Sequence, residues 1–252
     1  MPKQEEEVFF HEHKKMDLSG YTLIEGFPGM GLIGTIAAKY LSEKLDCELL
    51  GHIESSVFVP IVRVHHGYLV FPSRIYASEK HKLVILISEQ IIPTLFTEKV
   101  ARAVVEWIKN KKIKKIISLS GIRAVPEGKN TVYGIASNLE SKKLLKKYNV
   151  EIIREGITSG ITALIMLKLK DAKIDAISLM GNVEIAADYK SAAVLMQKLN
   201  EILGLQIAIE PLEKEAKETE KALLKNLEEL KKTAEQEQRL EEKTVTGPQM
   251  YT

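Results

Sequence analysis

One cysteine, one tryptophan and 6% aromatic residues in 252 positions set the first limits on this chain. Cys47 has no partner for an internal bridge, so an apolar core must hold the fold, and a cytoplasmic, reducing setting with a structural thiol is expected. Neither sign of charge dominates: 36 Lys and Arg against 34 Asp and Glu leave a formal +2. With few aromatic rings to stack on bases, that balance argues against a nucleic-acid partner. The lysine runs at 109–115 and 142–147 read as solvated helix ends. No apolar stretch approaches the roughly 20 residues a membrane helix needs. The longest, Ile161 to Leu169, is interrupted by Thr162 and Lys168, so no membrane partner is expected.

The usual marks of catalysis are also missing. Ser159 lies outside a G-x-S-x-G frame, and no histidine follows His81. His11-x-His13 and His65-His66 have neither a cysteine partner nor helical i,i+4 spacing, so no metal and no cofactor are expected.

What the chain does have is alternation. Tyr21 to Ile24 reads as a buried strand, followed by a helix over Met30 to Leu45 with Ile33, Ile36, Ala37, Tyr40 and Leu41 inward. Strands are expected at Glu48 to Ile53, Val57 to Val64, Gly67 to Phe71 and Arg74 to Ala77, the last two as a hairpin turning at Pro72-Ser73. Leu83 to Ile87 is a continuous branched-apolar run, as in a strand covered on both faces. Thr97 is expected to cap a helix over Glu98 to Lys109. Further strands are expected at Ile113 to Leu119, Thr131 to Ile135, Val150 to Ile153 and Ala176 to Met180. Helices are expected at Leu139 to Tyr148, Ser159 to Lys170 and Tyr189 to Leu203. This order predicts an α/β fold, a three-layer sandwich around a mostly parallel sheet.

The expected organisation is a polar leader over 1–17, an α/β domain over 18–210, an exposed helical arm over 211–243 and a tail over 244–252. Pro211 is expected to close the domain. Beyond it the chain is rich in Glu, Lys, Leu, Ala and Gln, with a narrow stripe at Leu223, Leu227, Leu230 and Ala234 in coiled-coil steps. As one helix the arm would extend roughly 45 Å.

Between the first strand and helix lies Gly26-Phe27-Pro28-Gly29-Met30-Gly31-Leu32-Ile33-Gly34. It contains a G-x-G-x-x-G spacing in strand-turn-helix position, with Glu48 and Glu54 downstream, which keeps a nucleotide- or nucleoside-binding enzyme as one reading. Against that reading, Pro28 distorts the turn, Met30 crowds a pyrophosphate and Thr35 stands where a phosphate-binding lysine belongs. The other reading is structural, with Gly26, Pro28, Gly29, Gly31 and Gly34 shaping a tight turn and close helix packing. Glu89, Arg123 and Glu184 sit at strand ends, where α/β folds bind ligands.

This turn, with Ala37-Ala38-x-Tyr40-Leu41, Gly121-Ile122-Arg123-Ala124, Glu155 to Thr162 and Ser191-Ala192-Ala193, resembles the proteasome assembly chaperone family. The similarity is to the branch of the second eukaryotic chaperone and its archaeal homologues, and it spans about Leu23 to Leu203. Asp188-Tyr189-Lys190 departs from the proline-containing acidic turn of that family, which leaves the sharpness of the following helix start open. The resemblance implies a nucleoside-phosphorylase-like fold serving as a binding protein, not an enzyme. The chain also ends Met250-Tyr251-Thr252, which resembles the hydrophobic-tyrosine-any (HbYX) tail of proteasome activators. Together the two resemblances imply an ATP-independent activator that docks its tails into the 20S proteasome α-ring. They also imply homotetramer assembly and unfolded protein clients, with Leu223, Leu227 and Leu230 serving either client binding or pairing of the arms. A scaffold for free α-subunits remains the alternative within the same family.

Overall fold

All six residues of Leu83–Ser88 are buried, as a run of branched apolar side chains requires, and they form one of the inner strands of a nine-stranded sheet. The computed structural model describes residues 8–123, 131–212 and 214. In chain order the elements are β1 (Val8–Glu12), β2 (Thr22–Gly26), α1 (Ile33–Lys44), β3 (Glu48–Ser55), β4 (Arg63–His65), β5 (Tyr68–Val70), β6 (Ser73–Ser78) and β7 (Leu83–Ser88). They continue with α2 (Thr97–Asn110), β8 (Lys115–Ile122), β9 (Val132–Ala136), α3 (Leu139–Lys147), β10 (Glu151–Ile152), α4 (Ile161–Asp171), β11 (Asp175–Asn182) and α5 (Tyr189–Leu203).

The strand order is β1-β3-β6-β7-β2-β8-β11-β9-β10, with β4 and β5 as a separate hairpin. Strands β7, β2, β8 and β11 run parallel at the centre, joined by crossovers, and antiparallel strands extend both sides. Alternation along each central strand divides the core. In β2, Leu23 faces α2 and α4, while Ile24 faces α1 and α5. In β7, Val84 and Leu86 take the first side and Ile85 and Ile87 the second. The result is the expected α/β sandwich with helices on both faces.

Several local expectations give way to tertiary context. Residues 8–12, read as part of a polar leader, form β1, which pairs antiparallel with β3 and registers His11 opposite His52. The pattern was obscured because Phe9 is exposed and the charged Glu12 points inward, so polarity does not alternate along the strand; Phe10 faces inward and stacks on Trp107 at 5.2 Å. Residues 57–62 are not a strand. The hairpin turns instead at His66-Gly67 between β4 and β5, with Gly67 at φ 81, and β6 pairs with β3 and β7. Thr97 does not cap α2: it is the first helical residue, and its hydroxyl donates back to the Pro93 carbonyl at 3.3 Å. Lys111 is not merely solvated, because its Nζ lies 2.5 Å from Glu12 on β1.

Pro211 does not close the body. Glu210, Pro211 and Leu212 are helical, consistent with proline's tolerance in a first helical turn, and Leu212 is buried in the core beneath α1 and α5. Tyr40 on α1 donates its hydroxyl to the Ala208 carbonyl at 2.6 Å, fixing the approach to this segment.

Candidate functional site

The carboxyl ends of β2, β7, β8 and β11 lie at one end of the sheet, where open α/β folds present their ligand sites. The glycine-rich turn leaves β2 there. Its glycines are packed against the protein's own backbone. A Cβ on Gly26 would stand 2.3 Å from the Gly34 carbonyl oxygen, and one on Gly34 would stand 2.1 Å from that of Leu119. A Cβ on Gly121, across the turn on β8, would stand 2.2 Å from the Met30 oxygen. Gly31 adopts φ 65 and Leu32 φ 51, both left-handed, to swing the chain into α1. Only at Gly29, among the five residues read as shaping the turn, is there both a glycine and open space around its Cβ position.

The first turn of α1 is occupied in the same way. Thr35 donates its hydroxyl to the Ser88 carbonyl at 3.1 Å, inside the protein. The Asp188 N–H donates to the Gly31 carbonyl at 2.8 Å, tying the turn to the start of α5. Asp188 also answers the question left by its missing proline: its two carboxylate oxygens accept from the Ser191 and Glu184 N–H groups, each at 2.8 Å, and cap α5. Close packing of β2, α1, β8 and α5 is therefore what these glycines provide. The sides of Gly26 and Gly34 that a Cβ would occupy are filled by the protein's own backbone.

Below the turn, Glu25 is wholly buried on β2. Burial pushes its carboxyl up to about 7, although hydrogen bonding to Ser118, the Phe27 N–H and Thr162 pulls the other way. The Ser118 hydroxyl donates to Oε1 at 2.5 Å, and Oε2 has no hydrogen-bond partner among the described residues. The group is sealed between the sheet and α4, so it has no route to a substrate; its influence is on stability.

Of the strand-end residues Glu89, Arg123 and Glu184, Glu89 enters an ion-pair network among the described residues. It receives Arg63 from β4 and Arg74 from β6, the latter at 2.8 Å, and so pins the hairpin to the end of β7. Arg123 and Glu184 are exposed. Grooves of about 380 and 450 Å³, lined in common by Lys44, Leu45, Lys80 and His81, lie at the far end of α1 from the turn. Cys47 is pushed up to about 11, chiefly by burial, which suits an unreactive thiol.

What this end of the molecule presents is apolar surface. Val64 and Leu69 face each other across the hairpin with 64% and 74% of their surface exposed; Tyr68 beside Leu69 on β5 is exposed too, as are Val62, Ile91, Leu95, Met30 and Ile185 in connecting segments. Sequence reading missed this surface because it extended a strand over residues 57–64 and turned the hairpin at Pro72-Ser73 instead of His66-Gly67. It also missed a cluster of His11, His13, His52 and Glu54 on the outer strands, because cross-strand register, not sequence spacing, brings these side chains together. The expected sites at Leu223, Leu227, Leu230, Met250, Tyr251 and Thr252 lie outside the described residues.

Comparisons with known proteins agree with the architecture. The PAC2 family model matches residues 23–227. An uncharacterized protein of Methanocaldococcus jannaschii is 34% identical over 215 residues, covering 85% of this chain and 88% of that one. The crystal structure of Pyrococcus furiosus PbaA, described as an archaeal homolog of proteasome-assembly chaperone, superposes with a TM-score of 0.80. It is 28% identical, and the match covers 90% of this chain and 99% of PbaA. Pyrococcus furiosus PbaB, described as an archaeal proteasome activator, shares the fold at a TM-score of 0.72 and 24% identity, over 87% of this chain and 98% of PbaB.

Proposed function

Because the chain belongs to the PAC2 family, we propose that it is a proteasome-associated binding protein, a chaperone and ATP-independent activator rather than an enzyme. The observation that carries this reading is the family match over residues 23–227, joined to the likeness to PbaA across nearly the whole of that protein. The close-packed glycine turn supports it from the chemical side, since the one motif that favoured a nucleotide enzyme packs against Leu119 and Gly121 of β8.

In the proposed mechanism several copies associate through the exposed apolar end of the sheet, as a homotetramer, and present their C-terminal segments together. Met250 fills an apolar groove between α-subunits of the 20S proteasome, the Thr252 carboxylate pairs with a cationic group, and Tyr251 presses the gate toward its open state. Linking several weak tails raises avidity by about two to four orders of magnitude. The tail must prefer the open gate, since equal affinity for both states would shift nothing. Leu223, Leu227 and Leu230 serve arm pairing or capture of unfolded clients.

The test is stimulation of peptide hydrolysis by archaeal 20S particles with the full chain and with Tyr251→Ala. Loss of stimulation with unchanged oligomer size is expected, and undiminished stimulation would refute the docking step. The description of PbaA favours a second reading, a scaffold for α-subunits before ring closure. Pull-downs against free α-subunits and against finished particles separate the two. Calorimetry with ATP, NAD and nucleosides tests the enzyme reading, which requires one of them to bind.

A further inference from the structure

The outermost pair of strands carries a cluster that the proposed function does not use. Side chains alternate along β1, so Phe10 and Glu12 face the body while His11 faces the other way, and His13 follows it two residues on. Phe10 stacks on Trp107, and Glu12 accepts from Trp107 Nε1 at 3.1 Å and from Lys111 Nζ at 2.5 Å. These contacts pin the strand from one side and hold the opposite side in a fixed position. On β3, His52 lies opposite His11, and Glu54 follows two residues along on the same face. Gly51 lets the strands approach, since a Cβ there would stand 2.1 Å from the His11 carbonyl oxygen.

The side chains converge. His11 Nε2 lies 3.2 Å from Glu54 Oε2, and the ligand atoms of His11, His52 and Glu54 all lie within 4.8 Å of one another. His52 is the ordered member. It is buried, its ring stacks on Phe71 at 3.5 Å with 9° between planes, and its Nδ1 is 3.0 Å from His13 Nε2. If Nδ1–H of His52 donates to His13, the lone pair of Nε2 is directed away from that bond and available to a cation.

We propose that His11, His52 and Glu54 form a binding site for one divalent transition-metal ion of the zinc class, with His13 as a positioning residue for His52. Two imidazoles and a carboxylate suit such an ion, and ligand bonds of about 2.0–2.2 Å require donors separated by about 3.4 Å in a tetrahedral site. The His11–Glu54 pair already meets that spacing at 3.2 Å. His52 must close by up to about 1.4 Å, and the His11 ring, stacked on His52 with 20° between planes, must turn so that both rings point at the ion. The fourth position faces solvent and takes water. The ion ties the edge strand β1 to β3.

The experiment titrates the metal-free full chain with Zn²⁺ against a chromophoric chelator, and follows hydrogen exchange of the β1 amides. One equivalent per chain, with slower exchange in β1, is expected. His11→Ala and Glu54→Gln should each weaken binding by at least about tenfold and remove the exchange effect, and His13→Ala should weaken it by about tenfold with unchanged stoichiometry. Glu54 is exposed, so its variant keeps the fold and separates ligand loss from strand loss. The double variant His65→Ala/His66→Ala should bind as the parent does. Absence of stoichiometric zinc, or binding that survives both His11→Ala and Glu54→Gln, overturns the proposal.

Discussion

Gly34 and Leu119 leave no room for a methyl group between them: a Cβ on the helix residue would stand 2.1 Å from the carbonyl oxygen of the strand residue. Gly34→Ala must therefore push α1 off β8, at a cost of about 3 kcal/mol or more in unfolding free energy. Gly29→Ala meets open space in an extended conformation and should cost no more than about 0.5 kcal/mol. Denaturant titration of the two variants checks the contrast. Equal effects would show that packing does not explain these glycines.

The pH dependence of stability should carry the mark of Glu25. Its folded-state pKa is raised from 4.5 to about 7, so the folded state holds the proton more tightly than the unfolded chain. The contribution is fully present below about 4.5 and is lost as pH rises through about 7, a decline on the order of 3 kcal/mol. Glu25→Gln cannot ionise and should lack this segment of the curve. Unfolding free energies at pH 5 and pH 8 decide the matter, and parallel losses in parent and variant would exclude the assignment.

Removing Glu89 strands Arg74, whose side chain is only 8% exposed. Glu89→Ala should cost about 3–5 kcal/mol, the range for an orphaned buried charge, and should also release β4, because Arg63 loses its partner. Glu89→Ala with Arg74→Met should recover a large part of the loss. Amide exchange in residues 63–70 reports the hairpin separately from global stability.

The apolar hairpin surface predicts an assembly defect without a folding defect. Val64→Glu with Leu69→Glu places two charges opposite each other on exposed strand positions and should break self-association while changing monomer stability by no more than about 1 kcal/mol. Light scattering gives the mass, and an unchanged mass would remove this surface from the assembly.

The inner layers were legible because burial on both faces writes itself into composition. The β7 run of Leu83 to Ile87 and the inward stripe of α2 at Val100, Val104, Trp107 and Ile108 are found where periodicity placed them. Helix α5 begins and ends at Tyr189 and Leu203, as read from its apolar spacing. The glycine turn was legible as a turn, and its atomic contacts distinguish packing from a phosphate cradle. The periphery was not legible. Strand β1 owes its place to Phe10 meeting Trp107 nearly 100 residues away, and the histidine cluster exists only once His11 is set opposite His52. Such long-range pairings leave no local period.

The root of the C-terminal segment has a mechanical implication. Leu212 is anchored beneath α1, the helix whose opposite end is clamped by the glycine turn, and Tyr40 grips the approach at Ala208. The helical turn at 210–212 is thus seated on the same helix that the glycine turn positions. One residue inserted just ahead of Leu212 would swing its side chain by about 100° around the helix and out of that seat. Whether this plug fits is consequently a matter a single codon can alter.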